Sequence, residues 1–111
     1  MSITPKEMNH VNLIGKISSA PKVLELENGR KIAQFSLSTT EFYLDGDGNK
    51  KERKHWHRIS AWGKWVSVLE KFGEKGLKLA IEGRLVSRFY KGKTGDRRFV
   101  VEVEVNDLIL M

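Results

Sequence analysis

The run Glu52 to Gly63, ERKHWHRISAWG, carries two tryptophans with an arginine between them. It reads as a β-strand, and alternation puts Trp56, Arg58, Ser60 and Trp62 on one face with His57, Ile59 and Ala61 on the other. Flat aromatic surfaces beside a cation, flanked by Arg53 and Lys54, suit a ligand that is both polyanionic and made of stackable rings. Single-stranded nucleic acid fits that description. A face turned to the core accepts tryptophan readily but seldom an arginine in its middle, so the pair is expected on a ligand-binding surface.

The composition is compatible with that chemistry and excludes others. At 111 residues the chain makes one domain, 1–111, with a single core; its 40% hydrophobic content supports folding. Twenty Lys and Arg against fourteen Asp and Glu give a net charge of +6, and a pI of about 9.7. Such a balance favours nucleic acid or anionic membrane. The helical segment is too short and too near neutral for membrane binding, and no apolar run spans a bilayer. MSITPKEMNH lacks a secretory apolar segment, and the absence of Cys fits a reducing compartment. A cytoplasmic, nucleoid-associated protein is expected, without a cofactor.

The elements that must position the aromatic strand follow along the chain. NHVNLIGKI alternates as a strand and is broken at Ala20-Pro21; Val23 to Glu27 then leads to Asn28-Gly29, a tight-hairpin signal. In RKIAQFSLSTT the offset of Ile32 from Phe35 and Leu37 predicts a bulge near Ala33, on a strand running toward Tyr43. LDGDGNKKERK reads as a long polar finger. Asp45, Asp47 and Asn49 have the opening spacing of a calcium loop, but Lys50 and Trp56 stand where its glycine and bidentate acid belong. KWVSVLEKF predicts a short helix burying Trp65, Val68, Leu69 and Phe72, stopped by Gly73. LKLAIEGRLVSRFY is a strand bent or bulged at Gly83, with Arg84, Val86, Arg88 and Tyr90 sharing a face. After the KGKTGD turn, RRFVVEVEV places Phe99, Val101, Val103 and Val105 inward. No internal repeat stands out. The architecture expected is all-β, a five-stranded oligonucleotide-binding (OB) barrel with one short helix.

HWHRISAWGK followed by a short helix and GLKLAIEGRL, with NHVNLIGKI and its Ala-Pro break upstream, resembles the bacterial single-stranded DNA-binding protein family from about Met8 to Asn106. The resemblance implies an OB fold, a homotetramer (a homodimer is the smaller alternative), and sequence-independent binding that protects single-stranded DNA in replication, recombination and repair. It implies stacking positions at Tyr43, Trp56, Trp62 and Tyr90, and a subunit contact at His57. The family's flexible tail with an acidic, apolar-ended peptide has no counterpart up to NDLILM, so recruitment of other proteins is not carried over.

Arg58, Lys64, Arg84, Arg88, Lys91, Lys93 and Arg97 are the candidate phosphate contacts, with Arg53 and Lys54 as mobile additions on the finger. Stacking and phosphate contact serve RNA as well, and only the resemblance selects DNA. The alternative within this class is a tailless primosomal replication factor that binds single strands and helicase-loading partners. An enzyme is disfavoured: His55 and His57 share a face, but His10 is the only other histidine, no acid stands at metal-ligand spacing, and no nucleophile turn is present.

Overall fold

A computed structural model describes residues 7–111; residues 1–6, part of the segment read for a secretory signal, lie outside them. The elements are β1 (Val11–Ile17), β2 (Lys22–Glu25), β3 (Lys31–Leu44), β4 (Lys50–Trp62), α1 (Lys64–Phe72), β5 (Lys78–Lys91) and β6 (Arg97–Leu110). Neighbouring strands run β1-β5-β6-β4-β3, and the pairs Lys16↔Ser38 and Ile17↔Leu37 join β3 back to β1. That closes a five-stranded barrel. β2 is appended to β3, from Lys22↔Gln34 to Glu25↔Lys31. No helix among the described residues is long and apolar enough to cross a membrane.

Alternation builds the core. Phe35 and Leu37 of β3, Ile59 and Ala61 of β4, Leu79 and Ile81 of β5, and Val103, Val105 and Leu108 of β6 point into the barrel with Ile17. Each large aliphatic side chain buried there contributes about 1.5–3 kcal/mol. From α1 the buried residues are Val66 and Leu69, with Trp65 packed partly against the same cluster. Phe72, expected inside, is exposed at the last turn; Val66 takes its place.

Three other expectations need correction. No bulge occurs near Ala33: β3 and β4 pair without a shift from Ile32↔Trp62 to Leu44↔Lys50, and Ile32 and Ala33 are both buried. The polar finger is not a long loop but a paired ribbon, with only Asp45–Asn49 as its turn. Phe99 and Val101 lie on the barrel's inner face by register but are exposed, because β5 and β6 continue past the barrel as a ribbon of their own. The radius of gyration, 16.8 Å, reflects both ribbons; a compact chain of this length would have about 13 Å.

All three hairpins close alike. In Leu26–Arg30, Asp45–Asn49 and Gly92–Asp96 the first N–H donates to the fifth carbonyl and the fourth N–H to the first carbonyl. The fourth residue is Gly29, Gly48 or Gly95, each at φ 81–83°, where a side chain would be strained. Asn28 does not share that conformation.

Gly83 marks a bulge, as its place in the strand suggests: Glu82 pairs with Asp107 but Gly83 with Val105, which leaves Asn106 as the extra residue on β6. Gly15 serves barrel closure, since a methyl group built there runs into the Ser38 carbonyl of β3. Gly15→Ala should therefore destabilise the fold by about 1–3 kcal/mol, the usual cost of overpacking. Urea unfolding checks this. A midpoint equal to the parent's would mean that β1 and β3 can separate freely.

Candidate nucleic-acid interface

The β3–β4 ladder sorts the site residues by face. Trp56, Arg58, Ser60 and Trp62 stand opposite Ser38, Ser36, Gln34 and Ile32 on the face turned away from the barrel interior, where Ser60 and Ile32 are nevertheless buried. Small polar partners beside Trp56 and Arg58 leave the tryptophan uncovered; it is 65% exposed. An indole so exposed has given up most of the burial energy available to it. Trp62 differs: it is half-buried beside buried Ile32, and the Arg30 guanidinium lies 4.7 Å from its ring centroid. Both tryptophans thus lie on the expected face, Trp56 exposed and Trp62 half-buried.

The outer face continues across β6 to β5 through Ser60↔Glu104 and Glu104↔Arg84, then along Val86, Arg88 and Tyr90. Arg58, Arg88, Tyr90, Gln34, Val100 and Glu102 line one concavity of about 260 Å³. Arg58 and Glu102 also border a second, of about 380 Å³, that reaches Lys22 and Ser19. The fold thus brings Arg58, Arg88 and Tyr90 together, although they are far apart in sequence.

The candidate cations are not equivalent. Arg88 Nε lies 2.7 Å from Oε1 of buried Glu102, and Arg84 Nη2 donates to Glu104 Oε1 at 3.2 Å. These acids offset part of their charge. The Arg88 contact is close, but its N–H is not aligned as a hydrogen bond, since Glu102 Oε1 has no donor in line. Among the described residues Arg58, Lys64, Lys91, Lys93 and Arg97 have no acidic partner within 4 Å. Lys64 opens α1 and covers the Trp65 ring at 4.8 Å, while Lys91, Lys93 and Arg97 surround the β5–β6 turn.

Tyr43 pairs with Lys51 and so shares the face of Arg53, His55 and His57, opposite to Trp56. The Arg53 guanidinium lies 4.7 Å from its ring. Arg53 and Lys54 are registered strand residues, opposite Glu41 and Thr40. His57 is half-buried where the ribbon joins the barrel, and its Nε2 shares a 2.8 Å hydrogen bond with Thr39 Oγ1. Burial, then the charge of neighbouring His55, lowers its pKa below 6.5, so the ring stays neutral at neutral pH.

Arg30, Phe42 and Phe89 are missing from the sequence-derived set. Phe42 occupies the Trp56 face opposite Glu52, with Lys50 Nζ 4.8 Å from its ring; Phe89 lies opposite Phe99, with the Arg97 guanidinium 4.1 Å away. The doublets Phe42-Tyr43 and Phe89-Tyr90 were the available signal, since consecutive strand residues must point to both faces. Asp45 accepts the Asp47 and Asn49 N–H groups on Oδ1, which accounts for the calcium-like spacing as turn chemistry. No three metal-ligating side chains cluster among the described residues.

Comparisons with known proteins agree with this geometry. The chain is 37% identical to a "Single-stranded DNA-binding protein 1" of Chlorobaculum tepidum and 33% identical to a "Single-stranded DNA-binding protein" of Neisseria meningitidis, each over 94% of its own length. It spans 65% and 60% of those two relatives. The Plasmodium falciparum SSB, solved in complex with single-stranded DNA, superposes with a TM-score of 0.84 at 29% identity, covering 98% of this chain and 99% of that one. The model of the Single-strand binding protein family matches residues 8–111, and the chain belongs to that family.

Proposed function

We propose that this protein binds single-stranded DNA without sequence preference, protects it during replication, recombination and repair in the cytoplasm, and performs no chemistry on it. The observation that carries this reading is Trp56, exposed on a barrel face it shares with Arg58 and Tyr90. Bases stack on Tyr43, Trp56, Trp62 and Tyr90, while Arg58, Lys64, Lys91, Lys93 and Arg97 meet phosphates and the acid-paired Arg84 and Arg88 add less. Neither contact reads a base edge, so sequence does not matter. DNA rather than RNA is supported by what the relatives are called.

The same reading makes the protein a homotetramer. An apolar row crosses the outer face of β1, β5 and β6, with Ile14 and Ile109 exposed and Ala80 half-buried between them, and a second copy would cover it.

Titration with oligothymidylate tests the function. With three to five phosphate contacts, log affinity should fall against log salt with a slope of about −2 to −3.5. Affinity independent of salt, or cleavage of a labelled strand, would count against this reading.

The three tryptophans should separate. Trp56→Ala should remove ~1–3 kcal/mol of binding, and shift stability by less than about 0.5 kcal/mol, as an exposed substitution does. Trp62→Ala should reduce both, and Trp65→Ala mainly stability. Equal losses of thermal midpoint in all three, with affinity intact, would sink the stacking assignment.

His57 should lie at a subunit contact. Its lowered pKa means that the unfolded chain binds the proton more tightly, so stability is full above pH 6.5 and declines as pH falls toward the depressed value. His57→Gln should flatten that part of the profile, and bulky His57→Tyr should release smaller species on dilution. A His57→Tyr protein that sediments like the parent at every concentration would remove His57 from the interface.

A further inference from the structure

Trp56 begins a row that crosses the outer face from β4 to β5: Trp56 pairs with Ser38, Ser38 with Lys16, and Lys16 with Lys78. Lys54, two residues before Trp56 on β4, points to the same side. Lys16, Lys54 and Lys78 line one open concavity of about 300 Å³, together with Ser38 and Thr40. All three lysines are exposed, and among the described residues none has an acidic partner within 4 Å. Glu52, the next residue of that face along β4, is outside the lining.

Like charges gathered round one hollow repel each other, and in the free chain only water and salt reduce that cost. The barrel does not need them, since its core at this closure is built by Ile17, Leu37 and Leu79 on the opposite face. What the arrangement fits is a group carrying more than one negative charge. No aromatic ring borders the concavity, so a base has nothing there to stack on. Ammonium groups on long, flexible stems meet phosphate as point charges, and the Thr40 hydroxyl can donate to a further phosphate oxygen. The chemistry is that of neighbouring phosphates without their bases, unlike the Arg58–Tyr90 concavity, which offers a ring beside a guanidinium.

We propose that Lys16, Lys54 and Lys78 form a second phosphate site, where the backbone of a bound single strand leaves Trp56 and crosses β3 and β1 toward β5. At the usual spacing of paired strands, Lys16 lies about 10 Å from Trp56 across the sheet and Lys78 about 15 Å. Trp56 then has cations on both sides along its own strand, Arg58 toward the barrel end and Lys54 toward the ribbon tip. The occupant rests on the single-strand binding reading above; the site itself can be tested without DNA.

Inorganic tripolyphosphate tests the site alone. It should give saturable amide shifts at Lys16, Ser38 and Lys78 in the parent, and Lys16→Gln/Lys78→Gln should lose that saturation. Lys71→Gln/Lys75→Gln, which removes the same charge from α1 and the turn after it, should keep it. The strand path is tested with an oligothymidylate several tens of nucleotides long. Each lysine should add about 0.7 to the salt slope expected from the other cations. Lys16→Gln/Lys78→Gln should therefore flatten the slope by about 1.4, so that its deficit against the parent narrows about 25-fold for each tenfold rise in salt. Adding Lys54→Gln should flatten it further, while Lys71→Gln/Lys75→Gln should follow the parent.

A flattened slope supports the path whether or not free tripolyphosphate is held. Lost tripolyphosphate shifts with an unchanged slope would assign the lysines to a free oligophosphate and overturn the strand path. Neither effect would overturn the site altogether. Ile14 also borders the concavity and belongs to the apolar row that a second copy would cover, so each variant is sedimented without DNA. A smaller species in Lys16→Gln/Lys78→Gln would trace any loss to contact between copies and overturn the phosphate assignment. If the parent binds no single strand, the single-strand reading fails and the path with it, while the tripolyphosphate shifts still decide whether these lysines hold phosphates.

Discussion

The unbroken register between β3 and β4 is the constraint on which the rest depends. From Ile32↔Trp62 to Leu44↔Lys50 no residue is inserted, so every side chain's face follows from its parity. Ile59 and Ala61 then enter the core while Trp56 and Arg58 face solvent. A slip of one residue would bury Arg58 and expose Ile59, and the core energy forbids it. The Trp56–Arg58 face is therefore held in place by the hydrophobic packing behind it, and needs few stabilising contacts of its own.

Much of this was legible because alternation is a strong signal. The strands, the short helix, the Gly83 bulge, the barrel and the Trp56–Arg58 face all follow from period and turn chemistry. Misread features have a common cause: periodicity reports which face a residue takes, not whether anything covers that face. Phe99 and Val101 alternate correctly with Val103 and Val105, yet they lie beyond the barrel's end and stay exposed. Phe72 lies at helical spacing from Leu69 but on a final turn that extends past the core. Tyr43 fell on the reverse face because the ladder continues unbroken through the segment read as a loop. The pairing of Arg84 and Arg88 with Glu104 and Glu102 was likewise invisible, since it depends on how β5 and β6 register.

Those pairs qualify what the net charge means. A carboxylate as buried as Glu102 is costly to desolvate and is tolerated only beside a cation. Its consequence here is positional: it holds the Arg88 side chain against the same concavity that Arg58 and Tyr90 line. Arg88 then contributes a guanidinium of fixed direction with part of its field cancelled. Among the described residues the uncompensated cations of the sequence-derived set are Arg58 in that same concavity, Lys64 at the start of α1, and Lys91, Lys93 and Arg97 around the β5–β6 turn.

The division between faces also separates functions along β4. At its barrel end the inner face is core and the outer face carries Arg58. Midway, inward His57 sits half-buried against Thr39, while adjacent Trp56 is solvent-exposed. Adjacent residues thus differ in environment, the first packed near β1 and the barrel's closure, the second open to solvent. Gly15 reinforces the separation, since its missing side chain lets β1 approach β3 at Ser38, directly behind Trp56 in the ladder. Closing the barrel there stiffens the strand pair that presents the indole. A rigid platform loses less entropy when a base stacks on it, which favours affinity without any contact to a base edge.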